Sequence, residues 1–451
     1  MKRMKKAIAL MLVALMLGVL ATACGSADTD IKGDSNTTDG TQNAGDKQAA
    51  KAKLTVWILK TWSEKANEQL SNRVMEFGKQ FNVDAKPEII NSSDISQKFN
   101  AAIESGVMPD VTFCMPFYLR TLSSKNLLLD ISDAVASIEK ENGSFFENNL
   151  EFGKVDGKNL ALPLYNEPRV LFYRKDILEA AGFKEPPKTW EELRKVAKAV
   201  TDPSKGLYGY GEPLALTDDT ENNQRTLLWS WGGKEYEEDG KTVAVNSKET
   251  ISMVQFFVDM YKVDKSIPET AVSWDDSGNN TSYISGQSAM VLNTPTILSA
   301  LAKPELKNIL DNTRIAPIPA GPAASINYGN GVFFCASSKT KYPNEAKEML
   351  KFIMNKDWYS SWIESVAPVQ VPTYKDLAAK DFWKQYPQSV CMEVIPGGRY
   401  LGYPGQLTTS ISEAYTGRLL GNTYQNVLVK GKSVEDAVAE WAANLEKLAD
   451  K

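Results

Sequence analysis

From Leu54 onward the chain alternates short β-rich runs with amphipathic helical stretches, and this order constrains the fold more than any other feature. Leu54-Thr55-Val56-Trp57-Ile58 has the composition of a strand. Between residues 64 and 81, Leu70, Val74, Phe77 and Phe81 recur at steps of four, three and four, which marks one face of a helix. Glu88-Ile89-Ile90 reads as a second strand. Asp94 then opens a helix with Ile95, Phe99, Ala102 and Ile103 on one side, and Val111-Thr112-Phe113-Cys114 forms a third strand. Strand, helix, strand, helix, strand predicts a mostly parallel sheet with helices on its faces. At 451 residues, more than one such unit is expected.

A second series follows. Residues 160–164 and 170–173 are strand-like and flank Tyr165-Asn166-Glu167-Pro168. Thr189 and Glu192 have capping-box spacing ahead of the apolar stripe Leu193, Val196, Ala197, Val200. In GQSAMVLNTPTI (286–297), the run Ala289 to Leu292 is too short for a helix and stops at Asn293-Thr294-Pro295. A further strand is expected at 331–335, a helix at 345–355, and a closing helix after Ser433.

The first 23 residues are a separate unit. A basic MKRMKK start, an apolar run and ATAC resemble a bacterial lipoprotein signal, which implies cleavage before Cys24 and lipid attachment there. Residues 24–52 carry one large apolar residue, Ile31, and read as a flexible tether. Cleavage removes Lys2, Arg3, Lys5 and Lys6, taking Lys plus Arg from 51 to 47 against 56 acidic residues, a net charge of −9. That balance argues against a nucleic-acid partner and against membrane binding by charge. Cys114, Cys335 and Cys391 are too few and too scattered for a disulfide framework, leaving at most one pair. The chain has no histidine, which removes the commonest general base and the commonest metal ligand. No cofactor and no metal are expected.

In order and separation, LTVWI, SGVMPDV, ALPLYNEPRVLFYRKDIL, PPKTWEEL, ISGQSAMVLN, APIPAG and SVEDAV resemble the family 1 extracellular solute-binding proteins. These are carbohydrate receptors of ATP-driven importers, of the maltose-binding type. The resemblance covers nearly all of residues 53–451. It implies an α/β, two-lobe, periplasmic-binding-protein-like (type II) fold with a three-segment hinge and a ligand cleft between the lobes. Crossings are then expected near 165–169, near 292–295 and in 314–331. The N-terminal lobe would comprise 53–165 plus 293–320, and the C-terminal lobe 166–292 plus 325–451. The implied partners are a carbohydrate and the transmembrane permease subunits of the importer, with the protein itself a monomer held to the membrane by lipid.

A sugar site needs aromatic faces and paired hydrogen-bonding groups at strand ends. Trp62 follows the first strand, as a stacking ring or as a rim or core anchor. Asn91 and Asp94 follow the second, where capping the next helix is an equal role. Phe117 and Tyr118 follow the third, where stacking and packing compete; an aromatic at this loop departs from the family's polar contact. Asn166 and Glu167 sit at the first crossing, Glu167 facing ligand or pairing with Arg169. Asn223 and Trp229 are candidates in the next helix, and Trp274 and Asp275 in a polar loop. Asn293 ends a core strand, so Asn293→Ala is expected to weaken binding more than stability. A tryptophan common after this turn in the family is replaced by Thr296. Gly329 would admit a ligand close to the backbone. Arg399, Tyr400 and Tyr403 lie on a Gly/Pro-rich loop. Two other readings stand beside the sugar receptor: the same scaffold binding a peptide or polyamine, and a glycoside hydrolase using a carboxylate pair such as Glu167 and Asp275.

Overall fold

A computed structural model describes residues 51–449 apart from Trp62, Ser92, Ser93 and Asn330. The signal segment, Cys24 and nearly all of the tether lie outside these residues.

Two sheets organise the chain. The first contains β1 (Lys53–Leu59), β2 (Asp84–Ile90), β3 (Val111–Cys114), β4 (Leu162–Asn166) and β10 (Gly331–Ala336), in the order β2-β1-β3-β10-β4. β1 runs parallel to β2 and β3, with the crossovers made by α1 (Glu64–Gln80) and α2 (Ile95–Ser105). β10 runs antiparallel to both of its neighbours. The second sheet contains β5 (Val170–Arg174), β6 (Tyr208–Gly211), β7 (Ser288–Asn293) and β8 (Thr313–Ala316), in the order β8-β5-β7-β6.

β7 is the strand inside GQSAMVLNTPTI, and all six of its residues are buried. Its alternate side chains serve different cores. Met290 and Leu292 belong to the second core, whereas Val291 packs with Phe172, Ile297 and Leu301 in a cluster continuous with the first. A strand covered on both faces reads as an unbroken apolar run, which accounts for the sequence.

The lobe boundaries differ from the expected ones. No crossing occurs at 292–295. After Asn293 the chain forms α7 (Thr296–Leu301), which packs on α6 (Gly278–Ile284), and then returns as β8 to pair with β5 of the second sheet. The chain reaches the first sheet only at β10, whose Phe333 faces Cys114 in the ladder. Residues 346–395 pack into the first core, and the change of core comes between Tyr400 and Leu401. The stretches 293–320 and 331–400 were therefore expected in each other's lobe. The physical reason is edge pairing: β10 fills the gap between β3 and β4, and β5 has one free edge left for β8.

Three connections join the sheets. They are Asn166 to Val170; β9 (Asn327–Tyr328) to Gly331; and Tyr400 to Leu401. The last two lie side by side, because β9 pairs in parallel with β11 (Gly398–Arg399). Asn149 links the first and third: it accepts from the Tyr400 hydroxyl at 2.9 Å and donates to Asn166 Oδ1 at 2.7 Å.

The remaining helices form where their caps allow. α4 (Trp190–Val200) starts at Thr189, whose Oγ1 accepts from the Glu192 amide at 3.1 Å. Glu192 reaches back to the Lys188 amide, one residue earlier than the usual reciprocal bond. Cys114, Cys335 and Cys391 are buried and form no disulfide among the described residues. No helix among the described residues is long and apolar enough to cross a membrane.

Candidate functional site

A cleft of ≈ 250 Å³ opens where strand ends of the first sheet face two helices and a short strand of the second lobe. One wall is made by Lys60 and Thr61 after β1, Ser96 in α2, and Phe117 in α3 (Pro116–Ser124) after β3. Tyr165 and Glu167 form the floor beside the first connection. The opposite wall carries Asp218 and Asn222 of α5 (Asp218–Trp231), Tyr328 of β9 and Tyr415 of α8 (Thr409–Thr416).

The α5 wall is built by helical spacing. Thr217 caps the helix, accepting from the Thr220 amide at 3.1 Å. Asp218 and Asn222 are four apart and share the cleft face. Asp219 and Asn223, each one position on, turn inward to Arg169. Arg169 donates to Asp219 at 2.8 Å and to Asn223 at 2.6 Å. Asn279 of α6 donates to the other Asp219 oxygen at 3.0 Å. Burial by itself would lower the Arg169 guanidinium, but the Asp219 carboxylate outweighs it and holds the group above its ordinary range. This charged lattice ties the first connection to the wall.

On the floor, Glu167 accepts from Gln370 Nε2 at 3.2 Å. Burial pushes its carboxyl above the ordinary range, against the opposing Gln370 donation and Arg169 charge. Burial also pushes the Tyr328 hydroxyl up to about 12 and raises those of Tyr165 and Tyr415 well above the ordinary range, so all three remain neutral donors near neutrality. The cleft thus offers aromatic faces, phenolic donors, an amide and two carboxylates.

The residues singled out from sequence fall into three groups. Phe117 and Glu167 line the cleft. A second group lies behind or beside it. Asn166 donates to the Pro372 carbonyl at 3.2 Å, and Asn223 holds Arg169. Tyr118 stacks on Phe99 at 4.6 Å in the first core. Trp229 stacks on Tyr328 at 5.9 Å, and Tyr403 meets its edge at 5.7 Å. Gly329 packs so closely on Tyr400 that a Cβ would stand 3.0 Å from the ring. Tyr400 lies on Phe152 at 4.3 Å, and the Arg399 guanidinium sits 5.4 Å from the Tyr403 ring centre.

The third group is engaged locally. Asn91 donates to Asp94 at 3.2 Å. Trp274 donates to Thr270 at 3.0 Å, and Asp275 accepts from the amide and hydroxyl of Ser277 at 2.9 and 2.7 Å. Asn293 is buried; its Nδ2 donates to Asn280 and its Oδ1 accepts from the Thr294 amide. It does not line the cleft. Trp62 and Cys24 lie outside the described residues.

Sequence reasoning did not single out Tyr165, Asp218, Tyr328 or Tyr415 as contacts. The acidic start of α5 after a threonine cap was a usable signal for Asp218. Tyr415 had none, since it sits among the apolar positions of a helix.

Two α/β lobes, joined by three connections and facing each other across a polar, ring-lined cleft, define a two-lobe ligand-binding protein. The chain belongs to the bacterial extracellular solute-binding protein family, whose model matches residues 72–390. A diacetylchitobiose binding protein of Streptomyces coelicolor is 29% identical over 247 residues, 54% of this chain and 52% of that one. Maltose-bound MalE3 of T. maritima superposes with a TM-score of 0.74 at 23% identity, covering 88% of this chain and 100% of that one. A solute-binding protein of Thermotoga lettingae bound to α-D-tagatose gives 0.75 at 21%, with the same coverage. At such identities the structural likeness is one of fold. Family and fold are those of binding proteins rather than enzymes.

Proposed function

We propose that this protein is the receptor of an ABC importer, taking up a sugar or oligosaccharide by closing its lobes and delivering it to the permease. The observation that carries this reading is the convergence of Phe117, Tyr165, Tyr328 and Tyr415 with Glu167, Asp218 and Asn222 in one cleft between the lobes. Ring faces stack on the weakly apolar faces of a sugar, and carboxylates and amides take its hydroxyls in pairs. Closure follows if the ligand touches both walls, because it then binds the closed state better than the open one. The protein works as a monomer at the outer face of the cell membrane, held there by lipid on Cys24 through the 24–52 tether.

Isothermal titration against a panel of sugars tests the reading. Binding is expected, with Glu167→Gln and Asn222→Ala each weakening it by about tenfold or more, as for a lost buried hydrogen bond. The sugar should be recovered intact after long incubation; hydrolysed product would make the protein an enzyme. Absence of binding to every sugar would overturn the assignment. Because Glu167 and Asp218 put two carboxylates among the rings, spermidine belongs in the same titration, and its tight binding would favour a polyamine receptor. Cys24→Ser should move the protein from the membrane fraction to the soluble one.

A further inference from the structure

The two lobes also meet where α3 packs on α8. Phe117 of α3 stacks on Tyr415 of α8 with ring centres 5.5 Å apart and planes 17° from parallel. This contact ends a ladder of rings that begins in the first core: Phe113 meets Phe99 edge-on at 5.3 Å, Phe99 stacks on Tyr118 at 4.6 Å, and Tyr118 meets Phe117 at 4.7 Å. On the other lobe Tyr415 is fixed. Its hydroxyl donates to Asn222 at 3.1 Å, and the guanidinium groups of Arg225 and Arg418 lie 5.2 and 5.4 Å from its ring centre. One turn further along α3, Arg120 donates to Gln406 at 2.7 Å, a second bond between the lobes.

Beyond this contact is a separate cavity of ≈ 230 Å³, lined among others by Arg120, Phe152, Tyr400, Tyr403 and Gln406. Among the described residues it shares no lining residue with the binding cleft. The Phe117–Tyr415 pair belongs to the cleft, and the Arg120–Gln406 pair to the outer cavity. A sugar chain running from the cleft into the outer cavity would have to pass between the stacked rings. The cleft that remains is at or below the small end of pockets that enclose organic ligands, roughly 300–1,000 Å³.

We infer that the Phe117–Tyr415 stack is the end wall of the binding cleft on its outer-cavity side and sets ligand length there, favouring one or two sugar rings over longer chains. The inference rests on the sugar reading above. Both partners act by exclusion as well as by contact: a third ring could enter only by parting a stack anchored in both lobes, which would hold the lobes open.

Calorimetric titration with α-glucan, β-glucan, chitin and xylan oligosaccharides, each from one to five rings, tests it. In the wild type, one- or two-ring members of a series should bind, and members of three to five rings should be weaker by about tenfold or more. Phe117→Ala should shrink that ratio below about threefold by relieving the longer members, since Phe117 is half-buried and its loss leaves the Tyr415 side intact. Wild-type binding of a three- to five-ring member as tight as its two-ring relative would overturn the inference while leaving the sugar reading standing. Failure of every member at every length would instead remove the sugar reading itself. The wild-type series decides the matter even if Phe117→Ala does not fold, and Phe117→Leu then supplies the smaller side chain.

Discussion

Glu212 provides a sharp test of the packing beneath the α5 wall. It is fully buried, accepting from the Tyr210 hydroxyl at 2.7 Å and from Gln224 Nε2 at 2.8 Å. Gln224 cannot turn its amide around, because its oxygen already takes the Tyr424 hydroxyl at 2.5 Å. Burial raises the Glu212 carboxyl from 4.5 to about 7; Tyr210 and Gln224 oppose the shift, Asp219 adds to it and Arg169 subtracts. At about 1.4 kcal/mol per pH unit, a shift of this size is worth about 3 kcal/mol. The sign follows from proton binding. Between pH 4.5 and about 7 the folded protein holds a proton that the unfolded chain has lost, so stability is full below 4.5 and declines as pH rises through 7. Glu212→Gln keeps the shape and cannot ionise. Its stability relative to wild type should therefore rise by about 3 kcal/mol between pH 4.5 and 8. For a unit of lobe size, at about 2–4 °C per kcal/mol, that is a gain of about 6 °C or more in Tm at pH 8 over the difference at pH 4.5. Thermal melts of both proteins across this range measure it. A wild-type-minus-variant difference that stays constant with pH would refute the reasoning.

Three other outcomes follow from the packing. Arg225 is buried between Glu221 and Glu235, both at 2.7 Å, so Arg225→Met leaves two buried carboxylates and should cost about 3–5 kcal/mol in urea denaturation; a cost below about 1 would show that water reaches the site. In Gly209→Ala the new Cβ would stand 2.1 Å from the Ala197 carbonyl of α4, and backbone cannot step aside as a side chain can, so a loss of about 1–3 kcal/mol or more is expected. Asn293→Ala should lower stability by about 1–3 kcal/mol through its lost bonds to Asn280 and the Thr294 amide, while solute affinity changes less than about twofold; the reverse pattern would place Asn293 in the cleft.

The Asn293 prediction reverses the one drawn from sequence, and the reason is instructive. A polar residue ending a buried strand was legible, as was the turn after it. Whether the chain then changes lobe is not a local property. The same apolar run suits either sheet, and the choice depends on ladders between residues far apart, such as Ile315 on Phe172 and Phe333 on Cys114. The candidate site shows the same limit at finer scale. An Asn/Asp-rich helix start near the cleft could be read from DDTENN, but Asn222 and Asn223 differ by about 100° of helical rotation. Only packing on Arg169 determines which of them faces the solute.

What the sequence determined by itself was local and periodic. The β1-α1-β2-α2-β3 order, the Thr189 cap of α4 and the buried run of β7 all express propensities and hydrogen bonds spanning a few residues. The order of motifs was enough to indicate the family. Tertiary structure decided which lobe receives β8 and β10, which face of α5 looks into the cleft, and that Phe117 meets Tyr415. Those outcomes depend on contacts between residues 50 or more positions apart, from Arg169 and Asp219 to Phe117 and Tyr415, and no pattern within one segment encodes its partner.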